Sequence, residues 1–226
     1  MKDGNRKKRI DVMGQFIDTA FRIAQKESFT SISVRRLAKD TNYNSSTLYY
    51  YFKSFENLMA YVSLKYLGGF YKEQWLIEET YINSTDRYIR TWELFIKYAI
   101  KYPNQFNMLI FGKCSKDLEE IFKTYSEIYP NEQVLDYSLF PIFRNRDNHC
   151  EIPLLDQCIG HGYVKSKSKT KIIELMESIL KTLIEKAIDT VDETTLEDLA
   201  KRNNEYVRMF LSHYQTPIGI ITFQEY

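Results

Sequence analysis

Side chains that can form hydrogen bonds to a nucleic acid are concentrated between Asn44 and Lys53. Three hydroxyl residues and three tyrosines occupy this segment: Ser45, Ser46, Thr47, Tyr49, Tyr50 and Tyr51. Leu48 and Phe52 are four positions apart, the spacing of one buried helical face, so the hydroxyls and at least one phenol should point outward. Asn44 can cap this helix through its side-chain oxygen. A short helix anchored by Leu48 and Phe52 suits the DNA major groove, which is about 12 Å wide.

A second helix must hold this one at a fixed angle. Val34, Leu37 and Ala38 follow the i, i+3, i+4 spacing of a buried face, and residues 41–43 interrupt the pattern for a turn. The pattern indicates a helix-turn-helix. On its first helix, Arg35 and Arg36 carry guanidinium groups that can bind phosphates or a guanine edge, and Lys53 adds an ammonium group after the second. The alternative for the arginines is a solvated helix face.

Charge is distributed unevenly along the chain. Residues 1–55 hold eleven Lys or Arg and five Asp or Glu, a net charge of +6, although the whole chain has a net charge of only +1. The remaining residues therefore carry a net charge of −5. A basic end attracts a polyanion, and an acidic remainder keeps the rest of the protein away from it.

Four residues have the chemistry to bind a metal. His149, Cys150, Cys158 and His161 lie within thirteen positions, and imidazole and thiolate are good zinc or copper ligands. Their spacing matches no established metal motif, and an odd number of cysteines argues against a disulfide framework. We therefore predict ordinary packing and no metal.

Composition excludes several classes of protein. With 44% hydrophobic and 27% charged residues, the chain is globular rather than disordered. It contains no apolar run long enough to span a membrane and no signal peptide, so we expect a cytoplasmic protein with no membrane partner. The sequence has no phosphate-binding loop and no catalytic serine or zinc-protease motif. We therefore expect no enzyme activity and no cofactor.

The periodicity predicts an all-α fold in two parts. A basic mobile arm over 1–8 precedes a helix over 9–27, and the helix-turn-helix completes a three-helix domain over 1–54. A long helix from Ser54 to Glu79 links it to a larger helical domain over 55–226, whose further helices are predicted at 84–102, 103–111, 115–129, 154–161, 170–190 and 194–213. Residues 130–150 follow no clear period, and residues 217–223 are predicted to be extended.

Three pieces of this sequence match a pattern that we can name: Val34-Arg35-Arg36-Leu37-Ala38, Thr47-Leu48-Tyr49-Tyr50-Tyr51-Phe52 and Glu56-Asn57-Leu58. Together they resemble the DNA-binding domain of the TetR (tetracycline-repressor) family of bacterial regulators. Two positions that are usually glycine in the family are Ser28 and Asn42 here. A phosphate-binding lysine of the family is replaced by Phe55, and Lys53 is the expected substitute.

The resemblance implies a repressor that binds a palindromic double-stranded DNA operator as a homodimer and is released by a small molecule. It also implies that Ser45, Ser46 and Thr47 approach the DNA, that Tyr49 and Tyr51 reach the backbone, and that Arg35 contacts a base or phosphate. Two alternatives remain open. One is a DNA-binding regulator controlled by a protein partner, without a small-molecule pocket. The other is an enzyme with a fused DNA-binding domain.

The larger domain is rich in aromatic residues, which either fill its core or line an effector cavity. For a cavity, an apolar or aromatic effector would contact Trp92, Phe95, Tyr98, Phe106, Ile110, Tyr125, Phe140 and Cys158. The last two long helices each carry apolar residues on two sides, and a helix that is apolar on two sides needs two partners. The resemblance implies a four-helix dimer interface here, for which we predict contacts from Ile172, Leu175, Ile179, Leu183, Leu199, Tyr206 and Phe210.

Overall fold

The computed structural model describes residues 2–132, 140–144, 147, 149–190 and 192–218. These residues form a helical protein, as the periodicity predicts. The helices are α1 (Lys2–Lys26), α2 (Val34–Thr41), α3 (Ser45–Tyr51), α4 (Phe55–Leu64), α5 (Gly68–Thr80), α6 (Ser84–Lys101), α7 (Pro103–Ile110), α8 (Leu118–Ile128), α9 (Pro153–Gly160), α10 (Lys169–Asp189) and α11 (Glu193–Tyr214). Most of the tail predicted to be extended lies outside the described residues.

One small β-hairpin accompanies the helices. Strands β1 (Phe143–Arg144) and β2 (Cys150–Glu151) pair antiparallel, with Phe143 opposite Glu151. The hairpin lies in the segment that the sequence left unassigned. Among the described helices, none combines the length and apolarity needed to cross a membrane.

The N-terminal unit is a three-helix cluster around one aromatic side chain. Phe16 of α1 is fully buried, and its ring centroid lies 5.4 Å from that of Tyr43 and 6.2 Å from that of Phe52. Leu37 and Leu48 are also buried, at 0% and 1% exposure. The i, i+4 pairs that predicted these helices therefore point inward and meet α1.

Two predicted boundaries differ from the structure. α1 begins at Lys2, so the predicted mobile arm is the first part of a helix. The predicted continuous link breaks at a 3-10 turn over Lys65–Leu67, followed by Gly68 and Gly69. Two adjacent glycines weaken a helix. A Cβ atom at Gly69 would lie only 2.5 Å from Tyr98 Oη, so a larger residue there would require the Tyr98 side chain to move.

The larger unit is organised around α6. Within it α5, α9 and α11 pack against α6, and α10 packs mainly on α7. The centre is aromatic, and the Phe95 ring lies 5.0 Å from Phe106 and 5.2 Å from Phe140. Edge-to-face contacts of this kind add to the free energy gained by burying the rings.

Candidate nucleic-acid interface

The second helix of the helix-turn-helix is fixed at its N-terminus by a side-chain cap. Asn44 has extended backbone angles, and its Oδ1 accepts hydrogen bonds from Thr47 N and Thr47 Oγ1, both at 2.8 Å. This satisfies one backbone N–H that the helix itself leaves unpaired. Asn44 and Thr47, both predicted to contact DNA, thus bond to each other in the free protein.

The turn before this helix uses a left-handed residue. Asn42 has φ 59° and ψ 27° and is the one non-glycine residue with positive φ in the described part of the chain. Asparagine tolerates this region better than most residues, which explains why it can stand where the family usually has glycine. Ser28 has φ −165°, an extended conformation that any residue adopts, so glycine is not needed there.

The outward face of α3 carries the predicted polar groups. Ser45 and Ser46 are exposed, Tyr49 is 53% exposed and Tyr50 is 79% exposed. Tyr51 is half-buried, and its ring meets that of Tyr50 edge to face at 5.0 Å. Exposed phenols offer a partner both an apolar ring and a hydrogen-bonding hydroxyl, a combination that is enriched at interfaces.

The two adjacent arginines have different surroundings. Arg35 is exposed and makes no ion pair with another described residue. Arg36 donates two hydrogen bonds to the Glu27 carboxylate, and its Nε lies 3.8 Å from Asp40 Oδ2. The Arg36 hydrogen bonds lower the pKa of Glu27, and the Glu27 hydrogen bonds raise the pKa of Arg36. Arg35 therefore remains available for a phosphate, whereas Arg36 joins α2 to the end of α1.

Lys53 lies beyond the C-terminus of α3 on the protein surface. Its Nζ is 3.0 Å from Glu120 Oε2, and both side chains are mostly exposed. The hydrogen bond from Lys53 to Glu120 raises the pKa of Lys53. An exposed ion pair contributes only about 0–1 kcal/mol. A DNA phosphate can therefore replace Glu120 at little cost.

A rigid basic face is the feature that sequence reasoning missed. Because α1 begins at Lys2, its first turns present Arg6, Lys7, Lys8 and Arg9 from a helix rather than from a mobile arm. Arg6 Nη2 lies 2.9 Å from Glu127 Oε1, which ties this part of α1 to α8. Apart from Gly4, the segment contains no residue that breaks a helix, and this could have indicated the longer helix.

A capped helix on a helix-turn-helix, with hydroxyls, phenols and a free guanidinium facing outward from a basic unit, defines a DNA-binding protein. Residues 16–62 match the family model of bacterial regulatory proteins of the tetR family. This stretch is therefore similar to the DNA-binding domain of those regulators, and the chain carries a helix-turn-helix of that type.

Three solved structures are similar to this chain, and the first of them supports the helical fold alone. A protein from Mesorhizobium loti MAFF303099 assigned to the TetR family has 12% identity and a TM-score of 0.50 over 92% of this chain and 99% of its own. One from Shewanella sp. PV-4 has 12% identity and a TM-score of 0.46 over 90% and 98% of the two chains. One from Haemophilus influenzae RD has 17% identity and a TM-score of 0.38 over 91% and 97%. No curated protein sequence matches the chain significantly.

The side chains predicted to line an effector cavity are packed against one another. Trp92, Phe95, Tyr98, Phe106, Ile110, Tyr125, Phe140 and Cys158 are all buried, with exposures of 0% to 7%. Three clefts on the surface of the described residues are lined by other side chains. The predicted set therefore forms the core in this conformation, and its contact with an effector remains a prediction.

The four metal-capable residues do not come together as a metal site. Among the described residues, no group of three or more His, Cys, Asp or Glu could hold a metal ion. His161 Nδ1 lies 2.9 Å from Ser84 Oγ, and Cys158 Sγ donates to Ser84 O at 3.3 Å. Burial raises the pKa of Cys158 to about 11, so it is a thiol at neutral pH. The three cysteines are free thiols.

The last two helices bury part of the predicted dimer surface within the protomer. Ile172, Leu183 and Leu199 are 1% to 5% exposed because α10 packs on α7 and α11 packs on α6. The other predicted residues remain accessible: Leu175, Ile179 and Phe210 are half-buried, and Tyr206 is 44% exposed. Ile179 and Tyr206 line a groove of about 250 Å³.

Proposed function

We propose that this protein is a homodimeric repressor that binds a palindromic operator in the cytoplasm and is released by a small molecule. The observation that carries the DNA-binding part is the outward face of α3 with exposed Tyr49 and Tyr50, together with exposed Arg35 of α2, which makes no ion pair within the described part of the chain. Arg35 would neutralise phosphate, and the hydroxyls and phenols would approach base edges and the backbone. Operator half-sites lie about 34–36 Å apart. The effector would favour a dimer in which the spacing of the two DNA-binding units no longer matches this distance.

Unpartnered polar atoms in the core support an effector site. Among the described residues, Tyr71 Oη and Gln74 Oε1 are buried without a hydrogen-bond partner, and the buried Tyr88 hydroxyl and Trp92 indole N–H have only each other. Each unpartnered atom costs about 1–3 kcal/mol, and two on one helix need an explanation. All four side chains project from α5 and α6. An aromatic effector with its own donors and acceptors would supply the missing partners when the core opens.

The DNA-binding part is tested by selecting duplexes from a random pool and titrating the best one in a mobility-shift assay. We expect a palindromic preference and an affinity that falls steeply with salt. Equal affinity for random duplex at every salt concentration would contradict the proposal.

The effector part is tested on the same complex with the low-molecular-mass fraction of an extract of the host cell. We expect release by wild type and loss of release in Trp92→Phe, which keeps a ring but removes the N–H donor. Trp75→Phe, on an exposed tryptophan, is the matched control. Release that is equal in all three proteins would contradict an effector contact at Trp92.

A second candidate is control by a protein partner. Trp75 and Leu76 on α5 are 52% and 56% exposed, and adjacent large apolar side chains often mark an interaction surface. In that case a partner protein, but no small molecule, would release the operator. Double substitution of Trp75 and Leu76 by serine would abolish release by the partner.

A further inference from the structure

A cleft of about 680 Å³ opens where the DNA-binding unit meets the larger unit. Phe21 of α1 is half-buried and gives it an apolar wall, and Leu64 at the end of α4 is buried behind that wall. Lys65, Gly68 and Lys72 follow along the α4–α5 break, and Glu132 after α8 lies on the opposite side. The cleft therefore combines apolar surface with two cations and one carboxylate.

The charges at the inner end of this cleft are already paired. The side chain of Lys65 is only 10% exposed, and its Nζ lies 3.0 Å from Asp18 Oδ1 and 2.9 Å from Glu132 Oε1. Tyr129 Oη donates to Asp18 Oδ1 at 2.9 Å, and Tyr125 Oη donates to Glu132 Oε2. Lys65 Nζ also lies 3.6 Å from the centroid of the Tyr129 ring. Both carboxylates thus have a lysine and a phenol as partners, which leaves them little capacity to bind a cation.

Lys72 is the second cation of the cleft. It is exposed, lines the cleft, and makes no ion pair with any residue in the described ranges. We propose that this cleft binds a small organic carboxylate, with its anionic group on Lys72 and its apolar body against Phe21. This site goes beyond the proposed function, because it lies outside the core cluster of Trp92 and its test requires neither an operator nor the effector.

The glycine at the start of α5 gives the ligand room. A Cβ atom at Gly68 would meet no other heavy atom within 4 Å, so open space lies beside its backbone. A larger side chain there can be accommodated by the protein itself but would enter the space that the ligand needs. Substitution at Gly68 therefore tests occupancy of the cleft without disturbing the Lys65 contacts.

The experiment is a ¹⁹F NMR titration of the full-length protein with 4-fluorobenzoate at constant ionic strength. We expect wild type to bind the probe, Lys72→Gln to raise the dissociation constant about tenfold, and Gly68→Leu to abolish binding. Loss of one charge-assisted hydrogen bond corresponds to a change of about that size. Lys171→Gln, on an exposed lysine of α10, is the matched control and should bind as wild type does.

Three results would overturn the proposal. In the first, the probe does not bind wild type, or Lys72→Gln and Lys171→Gln bind it equally. In the second, neutral 4-fluorobenzamide binds as tightly as the carboxylate, which removes the role of the charge. In the third, inorganic phosphate displaces the probe with equal affinity, which removes the role of the apolar wall. Circular dichroism of each variant confirms that a loss of binding is not a loss of folding.

Discussion

The two neighbouring arginines differ in their ion pairs. Arg36 is bonded to Glu27, whereas Arg35 is exposed without an ion pair among the described residues. We expect Arg35→Gln to weaken operator binding and to lower the salt slope by about 0.9 for each phosphate that is no longer neutralised, with no change in melting temperature. Arg36→Gln should instead lower the melting temperature. Mobility shifts at several salt concentrations and thermal melts measure both effects. If Arg36 were the residue that binds phosphate, Arg36→Gln rather than Arg35→Gln would lower the salt slope.

The pair between Arg36 and Glu27 also predicts a dependence on pH. The pKa of Glu27 is lowered from its ordinary value of 4.5, because the Arg36 hydrogen bonds favour the carboxylate. A lowered folded-state pKa gives stability that is present above pH 4.5 and is lost as the pH falls through the folded-state pKa. The melting-temperature difference between wild type and Glu27→Gln should therefore be present at neutral pH and shrink in acid. A difference that stayed constant with pH would contradict this.

The phenols of α3 give a test that leaves the fold intact. Tyr49 is 53% exposed, so Tyr49→Phe removes a hydroxyl from the surface and not from the core. We expect operator affinity to fall about threefold to tenfold, the range for loss of one hydrogen bond, with unchanged stability. Thr47→Ala does not separate DNA binding from stability, because the Thr47 hydroxyl also donates to the cap residue Asn44 at 2.8 Å. Normal binding by Tyr49→Phe would show that α3 presents another face to DNA.

Helix α3 is stabilised by one buried side chain, Leu48, and by one N-cap residue, Asn44. Removing each of them should lower the free energy of unfolding by a different amount. Leu48 is 1% exposed, so Leu48→Ala should reduce the free energy of unfolding by roughly 2–5 kcal/mol. Asn44→Ala removes the acceptor for Thr47 N and should cost about 1 kcal/mol. Urea unfolding measures both values. A larger cost for Asn44→Ala than for Leu48→Ala would mean that α3 is held by its cap rather than by the core.

Assembly is the property of the whole protein that the last two helices should control. Ile179 lies in the groove with Tyr206, accessible to a second protomer and not needed to fill the core. We expect Ile179→Glu to give a 27.0 kDa monomer that no longer prefers a palindrome, because a charge in a two-fold interface faces its own copy. Ile82→Glu, at a position 93% exposed elsewhere, is the control and should remain dimeric. Sedimentation of wild type as a stable monomer at micromolar concentration would overturn the proposed dimer.

Contacts between the two units bear on how a signal would reach the DNA. Lys65 at the α4–α5 break joins Asp18 of α1 to Glu132 after α8, and Tyr129, directly after α8, bonds to the same Asp18. A movement in the larger unit would therefore reach α1 through these contacts. Regulation by a ligand needs a connection of this kind between the ligand site and the DNA-binding unit, because binding at either end must be able to change its arrangement.

The order and type of the helices, the cap at Asn44 and the inward-facing Leu48 could be predicted from the sequence alone. These features depend on neighbours within four or five positions, and local spacing reports them directly. The left-handed conformation of Asn42 agrees with the resemblance, since the family usually has glycine at this position. The family resemblance also rested on this local segment, and residues 16–62 match the family.

Other features depend on residues far apart in the chain and needed the three-dimensional packing. Arg36 pairs with Glu27, which lies just beyond α1, and Gly69 of α5 lies so close to Tyr98 of α6 that a Cβ atom there would be 2.5 Å from Tyr98 Oη. α10 packs mainly on α7, and Ile172 and Leu183 of the predicted dimer surface are only 2% and 1% exposed in the protomer, although Leu183 also lines the groove of Ile179 and Tyr206. Periodicity shows that a helix has two apolar sides. It cannot show which side a distant helix will cover, because long-range packing decides that choice.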